Sequence, residues 1–399
     1  MIIGKPRIHE DGGEICFSAR VRLDTPGVDA PETVWFRVPP AYRSYLNTRS
    51  DALVVGMLPT ALALGEDIVV RGAVSRRLAH GIREYMTAYR QWWPRKYRVV
   101  GIEYEELTTA GGKRAGHAVG GTFSGGVDSF YSVWRHRPGH ESVPGMELTH
   151  CLMVNGFNWD VDLDRSREFQ QVVDTYGPVL RRLDIDLLVV RHNAQIFQEA
   201  AEKRRSKLPT METNVLAAVL LLGNLYSCFY LPGGATYRYE DNAPHGWHPS
   251  VLPLLGTEET HMLFDGGDAT RAEKTLILAQ WEETWSTLRV CWRPTVFNAD
   301  TGLIENCCRC PKCLRTMITL EIAGALSKYR TFPEPLDRRR MRALHHVSLD
   351  EKLFYEDMLQ TARAAGRADI VRDLRYARVK SRLEAAARVR LLRRPNRGK

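Results

Sequence analysis

Between residues 118 and 234, short apolar runs alternate with longer helical stretches. That alternation limits the folds open to this chain more than any other feature. AVGGTF reads as a buried strand, DSFYSVWRHR as a helix stopped by Pro138-Gly139, and THCLMVNGF as a second strand. A helix from about residue 165 to 183, the strand IDLLVVRHN, the apolar helix NVLAAVLLLGNLYS and the strand CFYLPGG complete the series. Strands separated by helices predict an α/β fold with a doubly wound parallel sheet. Ligands on such sheets sit beyond the carboxyl ends of the strands. Residues 124–129, 155–160, 192–193 and 233–239 occupy those ends.

The flanking segments read differently. Within residues 1–110, GEICFSARVRL, ETVWFRVP, EDIVVRGAV and KYRVVGIEYEEL have strand character, and RRLAHGIREYMTAYRQWW has helical spacing. This predicts a small N-terminal domain, mostly β or α+β. TTAGGKRAGHA, residues 108–118, reads as a linker to an α/β domain over 117–280. A cysteine-rich segment over 281–330 and a helical, basic region over 331–399 follow.

The chain has 399 residues, enough for two or three domains. No apolar run approaches the roughly 20 residues of a membrane span. MIIGKPRIHEDGGE does not have the pattern of a secretory signal, so a cytoplasmic enzyme is the expectation. The net charge is +9, and residues 361–399 hold thirteen Lys/Arg against three Asp/Glu, so the excess is a feature of that end. It reads either as a solvated helix face or as a contact for tRNA or another polyanion.

Ser124-Gly125-Gly126-Val127-Asp128-Ser129 follows a strand and opens a helix. Two glycines let the backbone pass close to a ligand, and successive N–H groups there form an anion-binding concavity. The helix aims its positive end at the same point. Ser124 and Ser129 offer hydroxyl donors, while Asp128 suits Mg²⁺ or a helix cap. There is no Gly-Lys-Ser/Thr, so this is not the usual P-loop. Further on, FDGGDATRAEKTLILAQ places Asp268 as a candidate cap for a helix bearing Arg271 and Lys274.

The eight cysteines fall into two groups. Cys16, Cys151 and Cys228 lie in apolar stretches and read as core residues, whereas Cys291, Cys307, Cys308, Cys310 and Cys313 are clustered. Two-residue spacers at 307, 310 and 313 suit a knuckle presenting several thiolates to one Zn²⁺. A redox or persulfide-carrying pair, an iron–sulfur cluster and unligated core thiols are the competing readings.

SGGVDS resembles the signature of the PP-loop, or N-type, ATP pyrophosphatase superfamily, which includes asparagine, GMP and NAD synthetases, tRNA thiolases and 7-cyano-7-deazaguanine synthase. The resemblance covers roughly residues 117–320. It implies an adenine nucleotide alpha hydrolase-like fold and cleavage of ATP between its α- and β-phosphates. A substrate oxygen is adenylated, pyrophosphate leaves, and the activated carbon accepts ammonia, an amine or sulfur. It also implies that Ser124, Gly125, Gly126, Val127, Asp128 and Ser129 bind the nucleotide, with Asn155-Gly156 meeting the adenine. Lys274 is the first choice for a late phosphate-binding cation and Arg271 the second. The cysteine spacing is similar to the zinc site of 7-cyano-7-deazaguanine synthase, which implies Cys291, Cys307, Cys310 and Cys313 as ligands. Cys307 and Cys308 are interchangeable at this level.

Tyr237, Tyr239, Glu240 and Asp241 are candidates to line a substrate pocket, with His245 and His248 in the same loop. Asp160, Asp162 and Asp164 alternate after the second strand, and Arg315 follows the cysteines. The sequence reading is an ATP-dependent, amide- or nitrile-forming ligase using ATP, Mg²⁺ and structural Zn²⁺ on a small-molecule or nucleobase-like substrate. A sulfur-inserting tRNA-modifying enzyme and a non-catalytic nucleotide-binding module are the alternatives.

Overall fold

The apolar runs become strands of one eleven-stranded sheet. The structure is a computed structural model describing residues 1–399 apart from 110–115, 156–165, 205–212, 241–247, 294–295, 346–348 and 393–399. Gly156, Asp160, Asp162, Asp164, Asp241 and His245 lie outside the described residues, as do most of the expected linker and the last seven residues of the basic end. Two compact units emerge. The first comprises Met1–Phe123, Arg135–Gly233 and Pro244–Asp265, and the second Ser124–Trp134, Gly234–Ala243 and Gly266–Lys399.

The first unit holds the sheet. Its strands are β1 (Ile2–Ile3), β2 (Arg7–Asp11), β3 (Glu14–Arg22), β4 (Thr33–Val38), β5 (Ile68–Ser75), β6 (Ile102–Thr108), β7 (Ala118–Thr122), β8 (His150–Asn155), β9 (Asp186–His192), β10 (Tyr226–Pro232) and β11 (His261–Asp265). The order is β11-β10-β7-β8-β9-β4-β3-β1-β5-β6, with β2 on β3. From β11 to β9 every pairing is parallel. The chain begins that half at β7, in the middle, adds β8 and β9 on one side and then β10 and β11 on the other. This is the expected doubly wound arrangement, with its switch point at the carboxyl end of β7. β8 and β10 are buried along almost their whole length, which is why they read as unbroken apolar runs.

The N-terminal strands extend the same sheet. β4 pairs antiparallel with β9 through Phe36 opposite His192 and Arg37 opposite Arg191. The segment expected to end near residue 110 therefore shares hydrogen bonds with the α/β half. Local sequence pattern carries no trace of a pairing between strands so far apart in the chain.

The helices α1 (Asp51–Leu64), α2 (Arg76–Trp92), α3 (Val127–His136), α4 (Ser166–Arg181), α5 (Ala194–Arg204) and α6 (Thr213–Leu221) intervene. All fourteen residues of α1 are buried, and it packs on α5 and α6. Neither α1 nor β11 is among the elements expected from sequence. A helix apolar on every side shows no 3.6-residue period.

This unit also locks away its charges. Arg49 donates to Asp51 (2.7 Å) and in a fork to Glu259 (2.7 and 3.2 Å), and Asp51 accepts from the Ser75 amide (2.8 Å). Burial outweighs Arg49 and pushes Asp51 up to about 6. His136 lies between Glu141 (2.5 Å) and Asp265 (2.9 Å), its ring stacked 4.0 Å from Tyr230. Burial opposes its charge, but Asp265 and Glu141 prevail and hold its pKa above the ordinary value.

The second unit is mainly helical, as expected for the C-terminal region. It contains the start of α3, then α7 (Tyr237–Glu240), α8 (Arg271–Leu278), the hairpin β12 (Val296–Asn298) and β13 (Leu303–Glu305), α9 (Pro311–Ile322), α10 (Arg338–Met341), α11 (Leu349–Ala364) and α12 (Ala368–Leu392). α11 packs on α8, α9 and α12. Leu314, Ile318, Tyr355, Met358, Ile370 and Leu374 belong to their shared core. Asp373 of α12 is fully buried and accepts from Arg338 (2.6 Å) and Arg342 (2.7 Å). The basic end is therefore docked through its first half, while Tyr376, Val379 and Leu383 stay exposed. No helix among the described residues is long and apolar enough to cross a membrane.

Candidate functional site

The chain leaves β7 at Thr122 and turns through Ser124, Gly125 and Gly126 into α3. Gly125 has φ +72°, a left-handed conformation that glycine adopts without strain. Its carbonyl accepts from the Arg289 amide at 2.8 Å. Ser129 Oγ donates to the Gly126 carbonyl (3.1 Å) and accepts from the Ser124 amide (3.3 Å). That hydroxyl shapes the loop from within. Ser124 Oγ lies 3.4 Å from it. Val127 is fully buried, so only its backbone is available to a ligand. Among the described residues, the Gly125 and Gly126 amides donate to no protein acceptor.

α8 supplies two cations from one face. Thr270, not Asp268, caps it: the Thr270 hydroxyl accepts from the Glu273 amide (3.2 Å) and the Thr270 amide donates to Glu273 (2.7 Å). Asp268 instead accepts from the Tyr131 hydroxyl at 3.4 Å. Threonine competes well for a cap position, and the glutamate three residues on completes the reciprocal pair. Arg271 donates to Asp128 Oδ2, and Lys274 Nζ lies 3.9 Å from Oδ1. Lys274 is fully buried, 5.4 Å above the Tyr131 ring. It lies beneath Gly266 (φ +77°), where a Cβ would stand only 3.0 Å from Nζ. Asp128 Oδ1 is buried and accepts no hydrogen bond among the described residues. A Cβ on Gly234 would lie 3.9 Å from Asp128 Oδ2, so the segment leading to α7 runs alongside. Tyr237 in α7 is 55% exposed, its amide on the Gly267 carbonyl (2.9 Å), and Tyr239 and Glu240 close that helix.

The ligand atoms of Cys291, Cys307, Cys310 and Cys313 lie within 4.8 Å of one another. Sulfur separations are 3.9 Å (291–310), 3.8 Å (307–313) and 3.4 Å (310–313). A tetrahedron with Zn–S bonds near 2.3 Å has edges of about 3.8 Å, so the spacing suits one ion. It is far beyond a disulfide bond and too tight to admit several irons between the sulfurs. Amides of Arg293, Cys310 and Cys313 donate to Cys291, Cys307 and Cys310 (3.4, 3.3 and 3.5 Å). Hydrogen bonds from Cys310 and Cys313 hold the Cys291 thiol well below the usual range. Sharing one negative charge raises the other two, and a dication removes that competition.

Cys308 stands apart. It has φ +52°, its thiol points to the Asn306 carbonyl (3.4 Å), and burial pushes it up to about 11. Cys307 is the member of the adjacent pair that joins the cluster.

Asn306, fully buried, ties the knuckle together. Its oxygen accepts from the amides of Val290 (2.8 Å) and Cys291 (3.1 Å), and its nitrogen donates to the Leu288 (2.8 Å) and Thr331 (3.3 Å) carbonyls. Lys312, between Cys310 and Cys313, is solvent-exposed. Desolvation and Arg271 pull its pKa down, against Asp128 and Cys310. Asn306, Lys312 and the Arg289 amide were missed from sequence. Lys312 inside Cys-Pro-Lys-Cys and Asn306 before Cys307 were the available signals.

Arg315 stacks 4.7 Å over Phe354. In the sheet-bearing unit, Asn155 ends β8 with a buried Oδ1 that accepts no bond among the described residues. His192 is buried against Phe36, and burial lowers its pKa to about 4, so it is a neutral core residue. Asn193 is pinned between the Trp35 amide and the Thr33 carbonyl (2.8 Å each). His248 is buried, accepting from the Ser250 amide (3.2 Å) beside Trp92. Compared with protein-family models, with curated proteins and with solved structures, the chain matches none.

Proposed function

We propose that this chain is an ATP-dependent adenylating enzyme of the PP-loop type. It cleaves ATP to AMP and pyrophosphate and activates a carboxylate or amide oxygen for attack by a nitrogen nucleophile. The observation that carries this reading is the pairing of the free Gly125 and Gly126 amides with a carboxylate, Asp128, flanked by Arg271 and Lys274. Donors and cations gathered at one point suit a polyanion, and preorganised charge at the phosphates is the main work of such a reaction. Asp128 Oδ1, left without a donor, is the oxygen that fits Mg²⁺, which would neutralise phosphate charge when bound. Arg271, partly exposed, meets phosphate oxygens. Lys274, buried, adds positive potential from beneath and holds Asp128 in place. Cys291, Cys307, Cys310 and Cys313 hold a structural Zn²⁺ with no open position.

Nitrogen is preferred over sulfur as the donor because Cys308, the spare thiol, is buried and hard to ionise. The exposed Arg372, Arg375, Lys380 and Arg382 of α12 keep tRNA among the candidate partners. Neutralising them tests that contact without disturbing the buried half of the helix. The reaction is tested by following pyrophosphate release across a panel of carboxylates, amides and nucleobases with ammonia present. Release with one class, lost in Asp128→Ala, supports the reading. ATP binding without release from any of them contradicts it.

A further inference from the structure

The N-terminal strands bury one face and expose charge on the other. β3 buries Ile15, Phe17, Ala19 and Val21, and β4 buries Val34, Phe36 and Val38. Alternation therefore puts Arg20, Arg22, Thr33, Trp35 and Arg37 on the opposite face. β2 brings Arg7 to that face, opposite Ser18, and β9 brings Arg191, opposite Arg37. Some of these cations are already answered. Arg37 stacks 4.6 Å over the Trp35 ring and donates to Asp11, and Arg191 pairs with Glu14 (3.1 Å). Arg22 lies 3.9 Å from Asp24, both side chains being exposed. Arg7 and Arg20, also exposed, have no ion pair and no side-chain hydrogen bond among the described residues. With Lys5, His9 and Thr33 they line a groove of about 850 Å³ that has no acidic residue among its described lining. Lys5 there is paired with Glu105 (3.2 Å).

The arginines stand in a row with a regular step. Arg7 faces Ser18, so Arg20 is its diagonal neighbour across the β2–β3 pair, about 7–8 Å away. Arg22 follows two residues along β3, about 7 Å further. Successive phosphates of an extended polynucleotide repeat on that scale. Thr33 stands directly opposite Arg20, its hydroxyl without a partner among the described residues, where it can meet a ribose 2′-hydroxyl. Trp35 lies opposite Ser18, in line with Arg7, and the Arg37 guanidinium over its ring makes a flat cationic surface for a base. We propose that this face binds single-stranded RNA, with Arg7, Arg20 and Arg22 on successive phosphates, Thr33 on a ribose and the Arg37–Trp35 stack under a base. The surface lies within the sheet-bearing unit and does not depend on what the 124–129 loop binds.

The test is a fluorescence-anisotropy titration of the full-length chain with labelled, unstructured RNA of about 12 nucleotides and with DNA of the same sequence. Wild type is compared with Arg7→Gln/Arg20→Gln, with Arg22→Gln, with Thr33→Val and with Arg375→Gln/Arg382→Gln on α12. Removing two phosphate contacts predicts about ten- to a hundredfold weaker RNA binding for Arg7→Gln/Arg20→Gln. The slope of log affinity against log salt should become shallower by about 1.4, from about 0.7 per contact on a single strand. Arg22→Gln should lose less, Thr33→Val should narrow the preference for RNA over DNA, and melting temperatures should stay at that of the wild type. Wild-type RNA affinity and salt slope in Arg7→Gln/Arg20→Gln overturn the proposal. Binding lost only in the α12 variant moves the RNA to that helix and overturns it too. Equal affinity of the wild type for RNA and DNA overturns the assignment to RNA. A wild-type chain that binds no RNA, or whose RNA is displaced as readily by polyglutamate as by unlabelled RNA, overturns the whole.

Discussion

Two charged clusters, one in each unit, are built in different ways. In the sheet-bearing unit, Arg49 is matched by Asp51 and Glu259, and His136 by Glu141 and Asp265. Both of these cations are answered by carboxylates within hydrogen-bond reach. In the helical unit, Arg271 and Lys274 both pair with one carboxylate, Asp128. Balanced charge fastens loops to a fold and is spent in doing so. A pair set beside free loop amides keeps a role for an anion that arrives from solution. The contrast teaches that a charged cluster should be judged by what surrounds it rather than by its size.

That distinction breaks if substitutions in the two clusters behave alike. The largest effect belongs to the metal knuckle. Cys310→Ser should abolish metal binding and lower the melting temperature by more than about 10 °C, since structural zinc sites supply folding free energy outright. Metal analysis with a thermal melt reads this, and Cys308→Ser should keep the metal. Next, Arg49→Ala should cost about 3–5 kcal/mol in denaturant unfolding by stranding buried Asp51, with nucleotide affinity intact. Arg271→Ala should do the reverse, weakening α,β-methylene-ATP by about ten- to a hundredfold with little change in melting. An Arg49 variant that bound nucleotide poorly, or an Arg271 variant that unfolded, would erase the contrast. The smallest effect sharpens it through pH. The His136 pKa is raised in the folded state, so its contribution to stability is fully present below the ordinary value near 6.5. It is lost as pH rises through the elevated value. His136→Gln should therefore differ most from wild type below pH 6.5 and converge above, as read by melts across pH.

Much of this was legible because local chemistry announces it. The buried strands β7, β8, β9 and β10 are bounded by turn residues, so their alternation with helices pointed to a doubly wound sheet. The 124–129 loop was visible because a left-handed turn favours Gly125. The knuckle was visible because four thiols reach one ion most readily from short spacers. What stayed hidden depends on distant partners. β4 meets β9 across the breadth of the chain, and α1 has no polar face to give it a period. Asp268 was the cap expected from sequence, and only the reciprocal bond with Glu273 shows that Thr270 takes that place. Asn306 was passed over because its partners, Val290, Leu288 and Thr331, lie far from it in sequence.

The proposed chemistry requires the backbone of residues 124–129 to grip a triphosphate. The most direct measurement is a crystal structure of the full chain with Mg²⁺ and α,β-methylene-ATP. Phosphate oxygens should lie within hydrogen-bond distance of the Gly125 and Gly126 amides, with Arg271 released from Asp128 toward them. Nucleotide bound elsewhere, with those amides facing water and the Arg271–Asp128 pair unbroken, would contradict it.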